Sequence, residues 1–549
     1  MNSKDLNPVR RRLALVAIGL TLAAGSSGCG EESGAASGGG TSGWSDAFEV
    51  GSGDTGATAE SSTSGGSGAA EPPKQLPAEK EPEPDFGAPE GSPNFVYIPA
   101  PESDQLVRVA GASLQVSLIE VGAQPSVVQV VPDQDAALVL HRGSDEVAVV
   151  RSSSGADSVK MLAVTPHCNA LAIDSAGKHA IVWYDHKRAK TGDPVGSFQS
   201  ISLLRLAVDK EESLGISIGF RPSAVHFTGD GTTALVVTDD GVNSINLATA
   251  KQGDIAAPVA VTTKPLVKVE REVHVTDDGM WAVVREKGLA ALTVVHLPSK
   301  KIVQVPLPAE PTDLDLIPGG KLALAVVRDA GLAALVTLPS APTEAFAVQQ
   351  TSMGDLTAGL ARVTDDGKSA LLYTSVAGIE QVATLDLATG VVVPVSIKKT
   401  VDTVFVMPNA RKAILVHRPD KGPNYADPTE KFVDDSFGYT LFDLDTGYTK
   451  LVLTPVKPTE IAFAADPLKA WLLLPDPKNI SHVVQEVAMA TFLTANHALG
   501  SAPQHARFLT KAAVLAVTQA HPSGRITFLD AKTGTAKTVT GYELNGKVK

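Results

Sequence analysis

The stretch that decides the fold is "HVTDDGMWAVV", residues 274–284, which returns in nearly the same form as "RVTDDGKSALL", residues 362–372. In both copies, apolar and variable residues alternate with the period of two that is typical of a β-strand. The aspartate pair and the glycine then supply a tight turn, because glycine adopts a positive φ without steric cost. Aspartate pairs of this kind can bind calcium, but turn chemistry alone explains them. Each copy therefore predicts a β-hairpin.

The hairpin phrase recurs along most of the chain. The nine instances are "VQVVPDQ" (128–134), "LAIDSAG" (171–177), "VHFTGDG" (225–231), "VHVTDDG" (273–279), "LDLIPGG" (314–320), "ARVTDDG" (361–367), "VFVMPNA" (404–410), "IAFAADP" (461–467) and a weaker "ARFLTKA" (506–512). Their last positions lie 41 to 57 residues apart. A period in the mid-forties made of short strands indicates propeller blades rather than a helical solenoid.

The rest of each period predicts two more strands. The third often ends in an Asp-x-x-Thr-Gly turn, as in "LDLATG" (385–390), "FDLDTG" (442–447) and "LDAKTG" (529–534). Four strands per period make one blade. Residues 94–122 look like a further blade that lacks its first strand. We therefore expect an all-β protein, a β-propeller of eight or more four-stranded blades in one ring. We also expect the N-terminal strands to close this ring against the C-terminal blade.

These repeats resemble the YVTN or YncE-like β-propeller repeats of bacterial envelope proteins. The likeness rests on "V-T-D-D-G" followed by alanine and aliphatic residues, on "D-x-x-T-G", and on the proline before many first strands. It covers residues 93–549 and implies the fold more strongly than any function. Quinone-dependent dehydrogenase propellers share the Asp-x-x-Thr-Gly turn, but there a docking tryptophan follows the glycine. Here Trp183, Trp281 and Trp471 all fall on second strands, which argues against that branch.

The first 29 residues have the features of an export signal. Three arginines (10–12) precede a charge-free apolar run, residues 13–24, that is too short to span a bilayer as a helix. The segment ends in "AAGSSGC", which resembles a bacterial lipoprotein box with Cys29 as the lipidated residue; ordinary signal cleavage is the alternative. The second cysteine, Cys168, is predicted to be a buried small apolar residue.

Residues 30–92 form a predicted disordered tether, rich first in glycine and serine and then in proline and glutamate. This tether holds 12 acidic residues and 2 lysines, so it supplies about −10 of the formal net charge of −13. The propeller itself, residues 93–549, is only mildly acidic. Nucleic-acid binding needs a basic footprint and is therefore disfavoured. We expect an exported, outer-membrane-anchored lipoprotein that faces the periplasm or the cell surface.

Two sets of side chains are candidate binding residues. The first set takes the second position of the hairpin phrase, on strands that line a propeller's central channel: His226, His274, Asp315 and Arg362. The second set lies at the ends of second strands and in the loops that follow: His141, Arg142, Asp185, His186, Arg285, Arg328, His417 and Arg418. Two of these loops are long and account for the two longest blade spacings. Long loops on a rigid scaffold often carry function, although both sets are also compatible with ordinary buried or solvated polar residues.

The sequence favours a binding module over an enzyme. No nucleophile elbow, phosphate-binding loop, dinucleotide fingerprint or zinc-binding histidine pair is recognisable, and we expect no cofactor and no metal. The expected partner is an envelope protein or another macromolecule that contacts the loops between second and third strands. The alternatives are a lactonase-like or other hydrolase with its site at the channel mouth, and a purely structural envelope component. Convergence of the loop arginines with a carboxylate and a histidine around one pocket would favour the enzyme, whereas a broad, open rim would favour a partner surface.

Overall fold

The computed structural model describes residues 88–153, 155–264, 269–476 and 482–542. The predicted signal peptide, with Cys29, and the predicted tether up to residue 87 lie outside these ranges. The described chain forms ten four-stranded antiparallel sheets. In each sheet, the strands are adjacent in the order in which they follow one another along the chain, which is the meander of a propeller blade. The prediction of a propeller with eight or more blades is confirmed, and the number is ten.

The first five blades have the following strands. Blade 1 comprises β1 (Glu90–Gly91), β2 (Phe95–Ala100), β3 (Gln105–Ala110) and β4 (Val116–Glu120). Blade 2 comprises β5 (Pro125–Val130), β6 (Ala136–His141), β7 (Glu146–Ser152) and β8 (Asp157–Ala163). Blade 3 comprises β9 (Ala170–Ile173), β10 (His179–Trp183), β11 (Ser200–Arg205) and β12 (Glu212–Ser217). Blade 4 comprises β13 (Ala224–Phe227), β14 (Thr233–Thr238), β15 (Gly241–Asn246) and β16 (Pro258–Val259). Blade 5 comprises β17 (Arg271–Val275), β18 (Trp281–Glu286), β19 (Ala291–His296) and β20 (Lys301–Pro306).

The other five blades continue the pattern. Blade 6 comprises β21 (Asp313–Leu316), β22 (Leu322–Val327), β23 (Leu332–Thr337) and β24 (Ala347–Ser352), with a short 3-10 turn at Arg328–Ala330. Blade 7 comprises β25 (Leu360–Val363), β26 (Ser369–Tyr373), β27 (Gln381–Asp386) and β28 (Val392–Ser396). Blade 8 comprises β29 (Val401–Val406), β30 (Lys412–His417), helix α1 (Pro428–Asp434), β31 (Phe437–Asp443) and β32 (Thr449–Thr454). Blade 9 comprises β33 (Ile461–Ala464), β34 (Lys469–Leu474), β35 (His482–Ala488) and β36 (Leu493–Leu499). Blade 10 comprises β37 (Pro503–Leu509), β38 (Val514–Gln519), β39 (Arg525–Asp530) and β40 (Ala536–Thr540).

The turns form for the reasons that the sequence suggests. In blade 5, the Asp278 carboxylate accepts hydrogen bonds from the Thr276 hydroxyl at 2.6 Å and from the Met280 amide at 2.9 Å. The second aspartate of the pair therefore orders its own hairpin. At the end of β27, the Asp386 carboxylate accepts from the amide and the hydroxyl of Thr389, both at 2.8 Å. The hairpin phrase and the Asp-x-x-Thr-Gly turn are thus local structures, each closed by its own side chains.

The core is a set of ten apolar clusters, one between each pair of neighbouring blades. Second and third strands are buried on both faces, as in β6, in which all six residues are buried. Fourth strands such as β24 are mostly exposed. One cluster joins Val96, Val107 and Val109 of blade 1 to Leu509 and Phe528 of blade 10, so the ring is closed. Cys168 is buried in the cluster between blades 2 and 3, and burial raises its pKa to about 12.

Blade 1 corrects one expectation. It has a first strand after all, the two-residue β1, which pairs Glu90 with Tyr97 and Gly91 with Val96. β1 also lies beside β37 of blade 10. Gly91 permits this approach, because a Cβ atom there would lie 2.9 Å from the Arg507 Cβ. The N-terminal strands close the ring as a complete blade of their own.

Candidate functional site

The course of the chain gives the ring two distinct faces. The turns between first and second strands and between third and fourth strands lie on one face, which we call the hairpin face. The loops between second and third strands, and the connections between blades, lie on the opposite face, which we call the loop face. First strands of consecutive blades are neighbours around the central channel. The predicted channel residues therefore lie along its wall, and the predicted loop residues lie on the loop face.

His141 and His417 are not exposed on the loop face. They are 1% and 0% exposed, at the ends of β6 and β30. The His141 Nδ1 donates to the Glu146 carbonyl at 3.1 Å, and its Nε2 accepts from the Gly122 amide at 3.2 Å. Burial lowers the pKa of the His141 imidazole. Contrary to expectation, this side chain serves the fold by holding the connection from the preceding blade.

His417 has the same role in blade 8. Its Nδ1 donates to the Thr400 carbonyl at 2.9 Å, and its Nε2 accepts from the Thr440 hydroxyl at 2.7 Å. Burial lowers the pKa of His417 to about 4. Blade 10 places Gln519 at the equivalent position, bonded to the Ser501 amide and to Thr527. The end of a second strand is therefore a recurring attachment point, and the polar residue there is structural.

The other candidates of blades 2 and 3 are Arg142, Asp185 and His186. Arg142 reaches the long loop of blade 3, whereas Asp185 pairs within that loop. Arg142 forms an ion pair with Asp193 at 2.9 Å, which joins blade 2 to the long loop of blade 3. Asp185 is 5% exposed, and its carboxylate pairs with Arg188 at 3.2 Å. His186 is half-buried in the same loop. These contacts order residues 184–199 against the neighbouring blade.

The other three loop arginines each pair with a carboxylate of their own blade. The Arg285 Nε lies 2.7 Å from a Glu272 carboxylate oxygen, and the Arg418 Nη1 lies 2.9 Å from the Asp402 Oδ1. Arg328 belongs to the short 3-10 turn and lies 3.6 Å from Asp329. The four predicted arginines belong to blades 2, 5, 6 and 8, and the ring separates them. They do not meet around one pocket.

The predicted channel residues lie on four consecutive blades, and the first three interact electrostatically. Burial and the nearby His274 lower the pKa of His226 to about 4, so its imidazole is neutral at pH 7. Burial alone would lower the pKa of His274, but the Glu272 carboxylate at 2.8 Å, with Asp315 and Asp313, raises it. Asp315 and Arg362 take the matching positions on blades 6 and 7. The structure therefore brings His226, His274 and Asp315 together, and their role as a binding patch stays a prediction.

Sequence reasoning missed the feature that stands out most on the loop face. Helix α1 rises from the long loop of blade 8 and carries Phe432, which is 66% exposed. Lys399, only 2% exposed, donates its ammonium to the carbonyls of Val433 and Asp434 at 2.6 and 3.0 Å. A cation at a helix C-terminus is favourable. The helix is therefore held in place while its large aromatic side chain faces solvent.

A local signal for α1 was present in the sequence. The Asp427 side chain accepts from the amides of Thr429 and Glu430, and Pro428 follows it at the first helical position. Asp-Pro with a glutamate two residues later is a recognised helix start.

A second apolar surface lies on the loop face of blade 3. Tyr184 packs edge-on against Phe198 with ring centroids 5.6 Å apart, and Phe198 lies 5.5 Å from Phe220. The Arg221 guanidinium covers the Phe220 ring at 5.0 Å. Val195, in the same long loop, is 61% exposed. Because blades 3 and 8 are five apart in a ring of ten, their two loops lie on opposite sides of the channel.

No group of three or more histidine, cysteine or acidic side chains in the described part of the chain is arranged to hold a metal ion. Within the same residues, no helix is long and apolar enough to cross a membrane.

Comparison with known proteins gives only distant structural matches. No family model matches the chain, and no curated protein matches it. Similar solved structures include a periplasmic gluconolactonase of Pseudomonas aeruginosa, 16% identical over 58% of this chain and 96% of that one, with a TM-score of 0.34. A dihydro-heme d1 dehydrogenase is 14% identical over 64% of this chain and 74% of that one, with a TM-score of 0.38. Both are β-propellers, and the likeness concerns the fold alone.

Proposed function

We propose that this protein is a binding module of the cell envelope, whose propeller docks a partner protein on the loop face through helix α1. The observation that carries the proposal is the exposed Phe432 on a helix that the buried Lys399 holds in place. Interface hot spots are enriched in large aromatic residues that fill apolar pockets. Because the helix is already ordered, binding would lose little conformational entropy.

The aromatic surface of blade 3 supports the same assignment. Phe198 and Phe220 are half-buried and lie on the loop face, across the channel from α1. A partner that covers the channel mouth would reach both surfaces.

Anchoring at Cys29 and an envelope location remain part of the proposal. They rest on the export signal, the lipoprotein box and the resemblance to YVTN or YncE-like repeats. The tether predicted from the sequence extends to residue 92, but Glu90 and Gly91 belong to blade 1. The acidic stretch that precedes β1 would therefore connect the membrane anchor to the ring.

The alternative is a hydrolase at the channel mouth. The distribution of the loop arginines favours the binding module, because Arg142, Arg285 and Arg418 each pair with a separate carboxylate on a separate blade. A hydrolytic site needs its charged groups to converge around one substrate.

The test is capture of partners from native envelopes by the full chain and by two single variants. Phe432→Ala removes the exposed aromatic of the loop face. Tyr448→Ala is the matched control, since Tyr448 is 58% exposed on the same blade but belongs to a third-to-fourth-strand turn of the hairpin face. We expect the Tyr448→Ala variant to capture the same partner as the unmodified chain, and the Phe432→Ala variant to fail to capture it. Equal capture by both variants would contradict the docking surface, and lactone hydrolysis by the chain would support the alternative.

A further inference from the structure

A small groove opens on the channel wall at the hairpin face, remote from helix α1. It is lined by residues of three consecutive blades, has a volume of about 250 Å³, and includes Ser175, His226, Phe227, Thr276 and Asp277.

Three polar side chains of this groove have no hydrogen-bond partner among the residues that the structure describes. They are the Ser175 hydroxyl, the His226 imidazole and the Asp277 carboxylate. The other polar lining residue, Thr276, is engaged with Asp278 and with the backbone of Trp281. The Asp277 backbone is also fixed, because its carbonyl accepts from the Gly229 amide at 2.7 Å. The three unengaged groups therefore project from an ordered wall.

The charge of the lining restricts what could bind. None of its eight residues is a lysine or an arginine, and Asp277 is its one carboxylate. His226 is neutral at pH 7, because burial and His274 lower its pKa to about 4. An anion would meet repulsion without a compensating donor. A cation would form a charge-assisted hydrogen bond with Asp277.

The arrangement also indicates the type of cation. A primary ammonium has three N–H donors and no acceptor. The groove offers a carboxylate, an imidazole lone pair and a hydroxyl oxygen as acceptors. Its volume corresponds to about eight water molecules and lies below the roughly 300–1,000 Å³ of pockets for drug-sized ligands. The ligand is therefore small.

We propose that this groove is a binding site for a small primary amine, whose ammonium group is received by Asp277, His226 and Ser175. The site is separate from the partner surface on the loop face, so an experiment can contradict either proposal without affecting the other.

The test is a titration of the full chain, followed by NMR or calorimetry, with two probes of nearly the same shape. Serinol is glycerol with its central hydroxyl replaced by an amino group, so the pair isolates the ammonium. We expect serinol to bind with a dissociation constant in the millimolar range and glycerol to bind at least about tenfold more weakly, as expected for one charge-assisted hydrogen bond. Asp277→Asn keeps the shape of the side chain and should weaken serinol binding by about tenfold.

The matched control is Asp365→Asn, because Asp365 has the same place in the "VTDDG" hairpin of blade 7. This variant should bind serinol like the unmodified chain. Binding should also fall as the pH approaches 4 and His226 takes up a proton. Equal binding of serinol and glycerol, no binding of serinol, or equal effects of the two asparagine variants would each overturn the proposal.

Discussion

Arg507 of blade 10 donates a hydrogen bond to the Glu460 carboxylate of blade 9, in a wall where their side chains are 6% and 0% exposed. The other guanidinium nitrogen lies 3.4 Å from Glu90 of blade 1. His505 lies 3.3 Å from the second Glu460 oxygen. One arginine thus connects three consecutive blades at the point where the two ends of the ring meet. We call Glu90, Glu460, His505 and Arg507 the ionic clasp.

Removal of the central cation should weaken the closure of the ring. In Arg507→Met, a buried carboxylate at Glu460 is left without its main partner, and breaking one half of a buried ion pair costs about 3–5 kcal/mol. Hydrogen exchange should accelerate first in β1, β2 and β37, with the blades opposite the closure unaffected. Differential scanning fluorimetry should show a lower melting temperature. The control is Lys287→Met, whose ion pair with Glu270 is largely exposed, and which should cost at most about 1 kcal/mol.

His417 should make the stability of the ring depend on pH. Burial lowers the pKa of its imidazole to about 4 in the folded chain, against about 6.5 when unfolded. Unfolding therefore takes up a proton between these values, and stability should fall as the pH is lowered from about 6.5 to about 4, by up to about 1.4 kcal/mol per pH unit. Urea unfolding measured across this range tests the slope.

The matched variant is His417→Gln, since a glutamine amide can also donate to the Thr400 carbonyl and accept from the Thr440 hydroxyl. Gln519 of blade 10 bonds the corresponding connection and third strand with donor and acceptor reversed. It should fold and should show a shallower loss of stability with acid. An unchanged slope would mean that other groups are responsible.

Lys399 should control the order of helix α1 without being needed by the ring. Lys399→Met retains the length of the side chain but removes the donor to the Val433 and Asp434 carbonyls. We expect faster hydrogen exchange and proteolysis within residues 420–436, with little change in the exchange of β30 and β31. Partner capture should fall as in Phe432→Ala. Full protection of α1 in this variant would contradict the role assigned to the lysine.

Much of the fold could be predicted from the sequence because its signals are local. "VTDDG" and "LDLATG" close their turns with their own aspartates, as at Asp278 and Asp386. The hairpin phrase occurs nine times with alternating apolar residues, and this repeat predicts a propeller. The first strand of blade 1 was missed because two residues, Glu90 and Gly91, are too few to show a period. The contribution of this strand to ring closure depends on the contact of Glu90 with Arg507, which lies 417 positions away in the sequence.

The candidate sites were harder to predict, since burial is set by tertiary contacts. His417 and Arg418 are adjacent in the sequence and were grouped together. The structure buries the histidine under the connection from blade 7 and leaves the arginine partly exposed, paired with Asp402. Periodicity also could not show that a groove would form beside His226, because its lining residues belong to three different blades.

Site-specific photocrosslinking in intact cells shows directly whether a partner protein contacts helix α1. A photoreactive phenylalanine analogue would replace Phe432 in one strain and Tyr448 in another, so that the two probes occupy opposite faces of blade 8. We expect one discrete crosslinked protein from position 432 and none of that size from position 448. The same product from both positions, or a product from position 448 alone, would contradict a partner surface built on helix α1.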